Sequence, residues 1–173
     1  MADINQINKI PPRTQKGLYL RKQDLRRGIE LMFFAYRDFT GEADNVLAEL
    51  GLGRAHHRVI YFVGRQPGMT VSDLLSILKI TKQSLSRVLS HLVAEGYVHQ
   101  AQGARDKRQR LLSLTDKGIA LEDRLTELQC KRFASAFSAC GGEAVAGFQD
   151  VLANLINEEE RAELQARYPD LFD

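Results

Sequence analysis

The chain has 173 residues, 24 Lys+Arg against 22 Asp+Glu for a formal net charge of +2, and 44% hydrophobic residues. These proportions match soluble globular proteins and exclude collagen-like, disulfide-scaffold and wholly disordered chains. The length fits one compact domain, or one unit with two lobes.

Charge is spread unevenly along the chain. Residues 1–53 carry 8 basic and 7 acidic side chains (+1), 54–114 carry 10 and 3 (+7), and 115–173 carry 6 and 12 (−6). All four histidines, His56, His57, His91 and His99, fall in the basic third. A basic middle between a neutral start and an acidic end points to a polyanion-binding module in a larger frame. The first residues, MADINQINKIPPRTQKG, have no apolar segment of the kind a signal peptide needs. No run approaches the ~18 apolar residues of a membrane span. No membrane role and a cytoplasmic location are expected.

Residues 1–17 are polar and aperiodic, with Pro11-Pro12, and read as a flexible arm whose Lys9, Arg13 and Lys16 offer phosphate contacts. From Asp24 to about Glu49 the apolar residues Leu25, Ile29, Met32, Phe33, Tyr36, Phe39, Val46, Leu47 and Leu50 follow helical spacing. One long helix is expected, bent near Gly41 and ended by Gly51 and Gly53. A shorter helix over 54–66 turns Val59, Ile60, Phe62 and Val63 inward and stops at Pro67-Gly68. Thr70 then caps a helix bearing Val71, Leu74, Leu75 and Leu78, with Asp73 completing a variant capping box.

Thr81 caps the next helix, KQSLSRVLSHLVAEG. Its Leu85, Val88, Leu89, Leu92 and Val93 form one continuous apolar face, and Gly96 ends it. Gln83, Ser86, Arg87 and Ser90 repeat the same spacing on the opposite face. YVHQAQ and RLLSLT read as the two strands of a hairpin around the charged turn GARDKRQ. Thr115 caps a further helix with Ile119, Leu121, Leu125, Leu128, Phe133 and Phe137 as apolar contacts, broken at Gly141-Gly142. A last helix is expected from Glu143 to Arg167, with Val145, Phe148, Val151, Leu152, Leu155, Ile156 and Leu164, and Pro169 closing it.

Only Lys79 and Ile80, plus the cap, separate the helices at 71–78 and 82–95. So short a joint forces a steep crossing, the helix-turn-helix geometry. The second helix would present Thr81, Lys82, Gln83, Ser84, Ser86, Arg87 and Ser90 to DNA. Gln suits adenine, Arg suits guanine, and the helix N-terminus suits a phosphate. No acid precedes Glu95 on this helix. The hairpin tip adds Arg105, Lys107, Arg108 and Arg110, cations suited to a narrow minor groove, with Asp106 placed to orient Arg108. Helix pair and hairpin together make a winged helix. The fold class expected is mainly α with a small β-hairpin wing.

At this point the sequence resembles the multiple antibiotic resistance regulators, the MarR family. The stretches PGMTVSDLL, ITKQSLSRVLSHLVAEGYV and RDKRQRLLSLTDKG carry the resemblance, which extends over about residues 24–167. It implies a recognition helix in the major groove and a D-x-R wing in the minor groove, here Asp106 and Arg108. One departure is Gln100-Ala101-Gln102, where relatives often place a basic residue. The resemblance also implies a homodimer interlaced through its first and last two helices. The apolar surplus of Phe33, Phe39, Phe133, Phe137, Phe148 and Leu152 supports this independently. Residues 1–23 are then the arm, 24–53 with 115–168 the helical dimerisation region, and 54–114 the winged lobe. Two recognition helices roughly 34 Å apart predict a pseudo-palindromic double-stranded operator. A ligand-responsive repressor is the leading reading.

By analogy with relatives that hold small aromatic or phenolic effectors, Phe33, Tyr36, Arg37, His56, His57, Arg58 and Tyr61 are ligand candidates. Adjacent His56 and His57 point about 100° apart on a helix, so they suit one metal ion poorly. No metal or cofactor is expected. Cys130 and Cys140 have no metal-ligand spacing, and a redox-sensing role for them is an alternative. A non-specific architectural DNA-binding protein is another. No catalytic motif of a hydrolase, nucleotide-binding loop or zinc protease occurs, so an enzyme is not expected.

Overall fold

In the computed structural model the described residues are 20–103 and 106–172. The expected N-terminal arm therefore falls almost wholly outside them, as does Arg105. The element order is α1 (Lys22–Glu49), α2 (Arg54–Arg65), β1 (Met69–Thr70), α3 (Val71–Leu78), α4 (Lys82–Ala94), β2 (Val98–Gln102), β3 (Arg110–Leu114), α5 (Asp116–Cys140), α6 (Gly142–Leu155) and α7 (Glu158–Arg167). A 3-10 turn follows at Pro169–Leu171. The chain divides into two compact units, the first ending at Asp38 and the second running from Phe39.

In the first unit, the part of α1 up to Asp38 is exposed along its whole length. Ile29 is 71% exposed and Phe33 63%. The helix passes Gly28 and Gly41 as one element, with no neighbouring atom within 4 Å of where a Cβ would stand at either. It ends at Gly51, whose φ of +68° lets the Leu52 N–H turn back and donate to the Leu47 carbonyl at 2.8 Å.

In the second unit the core is built from six elements. Leu47, Val59, Ile60, Val63, Leu74, Leu85, Leu92, Leu112 and Leu125 are fully buried, and come from α1, α2, α3, α4, β3 and α5. At ~25 cal/mol per Å² of apolar area, burying each such side chain contributes roughly 1.5–3 kcal/mol. The expected inward face of α4 is nearly right: Leu85, Leu89 and Leu92 are buried and Val88 half-buried, but Val93 is 37% exposed. The buried stripe is narrower than the sequence pattern, and Val93, about 100° round the helix from Leu92, falls at its edge. Ile119, one turn into α5, is also exposed, while its neighbours Gly118 and Leu121 are buried.

Three strands pair in the order β1-β3-β2, all antiparallel. The hairpin register sets Val98 opposite Leu114 and Gln102 opposite Arg110. The sequence reading missed β1, a two-residue strand pairing Met69 with Leu112, because so short a segment has no periodicity.

The single last helix expected from Glu143 to Arg167 is two helices. Ile156 is extended (φ −72°, ψ 136°), and α7 restarts at Glu158. Three glutamates, Glu158, Glu159 and Glu160, fill the first turn of α7, where the positive end of a helix dipole favours them. The apolar spacing through Ile156 concealed that start. Neither α6 nor α7 contributes a buried residue to the core. Phe39, Phe133, Phe137 and Phe148 instead form a chain of rings, with Phe39–Phe133 and Phe133–Phe137 centroids both 5.2 Å apart. Those aromatics meet one another within the chain and spend part of their surface there.

Candidate nucleic-acid interface

The joint between α3 and α4 rests on three local devices. Thr70 and Asp73 cap α3 reciprocally: the Asp73 N–H donates to Thr70 Oγ1 at 3.1 Å, and the Thr70 N–H donates to Asp73 Oδ2 at 2.9 Å. These bonds to Thr70 hold the Asp73 carboxyl below its ordinary value, with Arg167 adding to them. Lys79 ends α3 in the left-handed region at φ 49°, the one positive-φ non-glycine among the described residues. Thr81 then starts α4, accepting the Ser84 N–H at 3.2 Å.

Lys82, Gln83, Ser84, Ser86, Arg87 and Ser90, with Thr81, are all exposed, along the side of α4 away from the core. The structure brings these seven sequence-predicted residues together on one helix. No acid stands in the first turn of α4, so the helix dipole there remains positive.

The far end of α4 is fixed as firmly. Gly96 takes φ +74°, and the Tyr97 N–H donates back to the Leu92 carbonyl at 2.8 Å. Lys117 Nζ donates to the Glu95 carbonyl at 2.7 Å and lies 4.1 Å from the Tyr97 ring centroid. Thr115 Oγ1 donates to the Gly96 carbonyl at 2.6 Å and accepts the Gly118 N–H at 3.1 Å. The sequence marked Thr115 as a cap, but not as the bond that joins α4, the hairpin and α5.

At the wing tip, Asp106 orients Arg108 through the backbone. The Arg108 N–H donates to Asp106 Oδ1 at 2.9 Å, while the guanidinium Nε stands 3.7 Å away and the side chain is 96% exposed. The Gln109 N–H donates to the Asp106 carbonyl at 3.0 Å, closing the turn. Lys107, Arg108 and Arg110 are exposed cations on this turn and the strand after it. Gly103 is required beside it, since a Cβ there would stand 2.8 Å from the Asp106 carbonyl oxygen.

A family model described as the MarR family matches residues 50–109. The HTH-type transcriptional regulator PetP of Rhodobacter capsulatus is 49% identical over 148 residues, covering 86% of this chain and 89% of that protein. The chain belongs to the MarR family. Among solved structures, Streptococcus pneumoniae FabT in complex with DNA superposes with a TM-score of 0.70 at 20% identity, covering 76% of this chain and 94% of that one. A mutant MarR from E. coli complexed with operator DNA superposes at 0.62 and 20% identity, over 81% of this chain and 100% of that one. At such identities the likeness shows the fold, and the fold is that of MarR winged helices.

The predicted ligand residues of this MarR chain fall in both units. In the first, Phe33 and Tyr36 are exposed, and Arg37 Nε donates to Asp38 Oδ1 at 2.8 Å. In the second, His56, His57 and Tyr61 are half-buried and Arg58 is exposed. Both ring nitrogens of His56 are engaged: the Gly53 N–H donates to Nδ1 at 3.1 Å, and Nε2 faces His91 Nδ1 at 3.0 Å. The His56–His91 pair joins residues 35 apart and was invisible in local spacing. None of the predicted ligand residues lines the ~590 Å³ cleft bounded by Ser76, Ile77 and Lys79 on one side and Leu164 and Arg167 on the other. No group of three or more His, Cys, Asp or Glu among the described residues is arranged to hold a metal ion. Cys130 and Cys140 are exposed on α5, ten positions and about 15 Å apart along it, beyond the ~7 Å a disulfide spans.

Proposed function

We propose that this MarR-family chain is a sequence-specific transcriptional regulator that binds a pseudo-palindromic operator as a homodimer. In this reading α4 enters the major groove and the Lys107–Arg110 wing the adjacent minor groove. One observation carries it: the exposed face of α4 and the exposed Arg108 tip are tied into one rigid piece through Thr115, Gly96 and the hairpin register. A helix offering Gln83 and Arg87 reads base edges, and a projecting guanidinium reads the negative potential of a narrow groove. The crystal structures of FabT and of MarR with DNA support the same use of this fold.

The dimer draws support from the bare apolar residues of α1, Ile29, Leu31 and Phe33, and of α6, Val151 and Leu155. That arrangement makes 54–114 the DNA-binding lobe, and 24–53 with 115–168 the dimerisation region. Release by a small aromatic effector rests on the family resemblance. A cytoplasmic place and the absence of catalysis follow from the regulator reading. No helix among the described residues is long and apolar enough to cross a membrane.

Selection of bound DNA from a random pool tests this reading. The expected result is an inverted repeat, bound about a thousandfold or more tighter than random duplex. Recovery of duplexes with no shared motif would instead make the protein a non-specific binder.

A further inference from the structure

The hydrogen bonds around His56 fix where its proton sits. A backbone N–H can only donate, so Nδ1, which receives the Gly53 N–H, carries the lone pair. The proton of the neutral ring is therefore on Nε2. Nε2 faces His91 Nδ1 at 3.0 Å and donates to it, so the His91 proton is on its own Nε2. The rings meet edge to face with centroids 4.9 Å apart. One directed chain thus runs from the backbone ahead of α2, through His56, to a side chain of α4.

We propose that the His56–His91 hydrogen bond positions α4 for DNA, and that operator affinity falls as pH drops below neutral because protonating the His56 ring breaks this chain. The inference deepens the operator-binding reading and rests on it. A proton added to His56 must go to Nδ1, where it opposes the Gly53 N–H. That event sets donor against donor at the head of the chain, 3.1 Å from the Gly53 nitrogen.

His91 follows Ser90 directly and lies one turn beyond Arg87 on α4. Apolar packing of Leu85, Leu89 and Leu92 sets how deeply α4 sits, but such contacts have little directional preference. The imidazole pair is directional, so it fixes rotation about the helix axis. Burial first, and then the nearby His91, hold the His56 ring below the ordinary imidazole value. His91 is the titratable group that faces His56 from α4. Asp44 of α1 and Glu122 of α5 face His57 instead, with Arg58 beside it on α2. Arg54, also on α2, pairs with Asp44.

The test compares the wild type with His56→Gln, on DNA selected at about pH 8 and at constant salt. Glutamine three residues past the Gly53 cap accepts the Gly53 N–H through Oε1 as a capping box does, offers its amide N–H to His91 Nδ1, and does not titrate. Wild-type affinity should fall about tenfold between about pH 8 and about pH 5, within the tenfold per unit that one linked proton allows. His56→Gln should bind within about threefold of wild type at about pH 8 and lose less than about threefold on acidification. Equal losses for the two proteins would overturn the inference. Imidazole ¹⁵N shifts of the wild type give a second reading that needs no variant. His56 protonated on Nε2 at about pH 8 is expected, and a proton on its Nδ1 would overturn the chain of bonds. If no DNA is selected at about pH 8, the operator reading fails and takes this inference with it; selection with equal pH slopes removes only the inference.

Discussion

The α-carbon of Gly118 lies so close to the Tyr97 carbonyl oxygen that no side chain fits between them. The next nearest atoms, the Tyr97 carbonyl carbon and Leu114 Cβ, would stand 3.1 Å and 3.2 Å from a Cβ at this position. This contact seats the first turn of α5 against the corner between α4 and the hairpin. Gly118→Ala should therefore cost about 1–3 kcal/mol, the usual penalty of forcing an extra carbon into packed structure. Urea denaturation gives the value. A variant as stable as wild type would mean that the corner can spread.

On the operator-binding reading, the wing tip separates a contact with DNA from a contact within the chain. Arg108→Ala should weaken operator binding by about 1–3 kcal/mol and leave the melting temperature unchanged, because its side chain is almost wholly exposed. Asp106→Ala should weaken binding through a loosened turn, whereas Asp106→Asn keeps an oxygen for the Arg108 N–H and should bind nearly as well as wild type. Gel-shift titration beside thermal melting distinguishes the three.

Asp73 serves both the cap of α3 and Arg167 of α7, whose guanidinium lies 3.4 Å from Oδ1. Its carboxyl is held below the ordinary value in the folded state, so it binds fewer protons there than in the unfolded chain. That contribution is complete above the unfolded carboxylate value of about 3.9 and is lost as pH falls through the folded value. Asp73→Ala should cost about 1 kcal/mol at neutral pH, the usual worth of a cap. The difference from wild type should shrink in denaturation curves taken below about pH 3.

His57 contributes in the opposite part of the scale. Burial depresses its ring, outweighing the pull of Asp44 and Glu122. Stability linked to it is full above the unfolded imidazole value of about 6.5 and declines as pH falls below that. His57→Gln should flatten the melting temperature between about pH 7 and about pH 5. A slope as steep as in wild type would count against the buried neutral ring.

The bare face of α1 supplies the test of assembly. Light scattering should return twice the chain mass, and Ile29→Glu with Phe33→Glu should return one chain mass while helicity persists. Equal masses for the two proteins would place the interface elsewhere.

Much of the winged lobe could be read directly because its information is local. Thr70, Thr81 and Thr115 each announce a cap, Gly96 announces a stop, and Leu85, Leu89 and Leu92 repeat within one helix. What escaped is either too short or too long in range. Two residues of β1 show no period, and His56 meets His91 only after α2 and α4 pack. The restart at Glu158 was hidden because Ile156 extended the apolar spacing past the break, while Glu158–Glu160 read as surface. Asp106 was rightly tied to Arg108, yet its bond to the backbone N–H is set by turn geometry that residue types alone do not show.

Helix α5 begins at the wing's root and continues for 25 residues, about 37 Å at 1.5 Å per residue. Thr115 and Gly118 weld one end of that rod to the corner between α4 and the hairpin. The rod is therefore a lever with its load at the wing: pivoted near Cys140, a tilt of about 5° displaces the wing end by about 3 Å. Three ångströms is about the length of a hydrogen bond, so a tilt too small to alter packing at the Cys140 end moves the exposed Arg108 tip by a full contact distance.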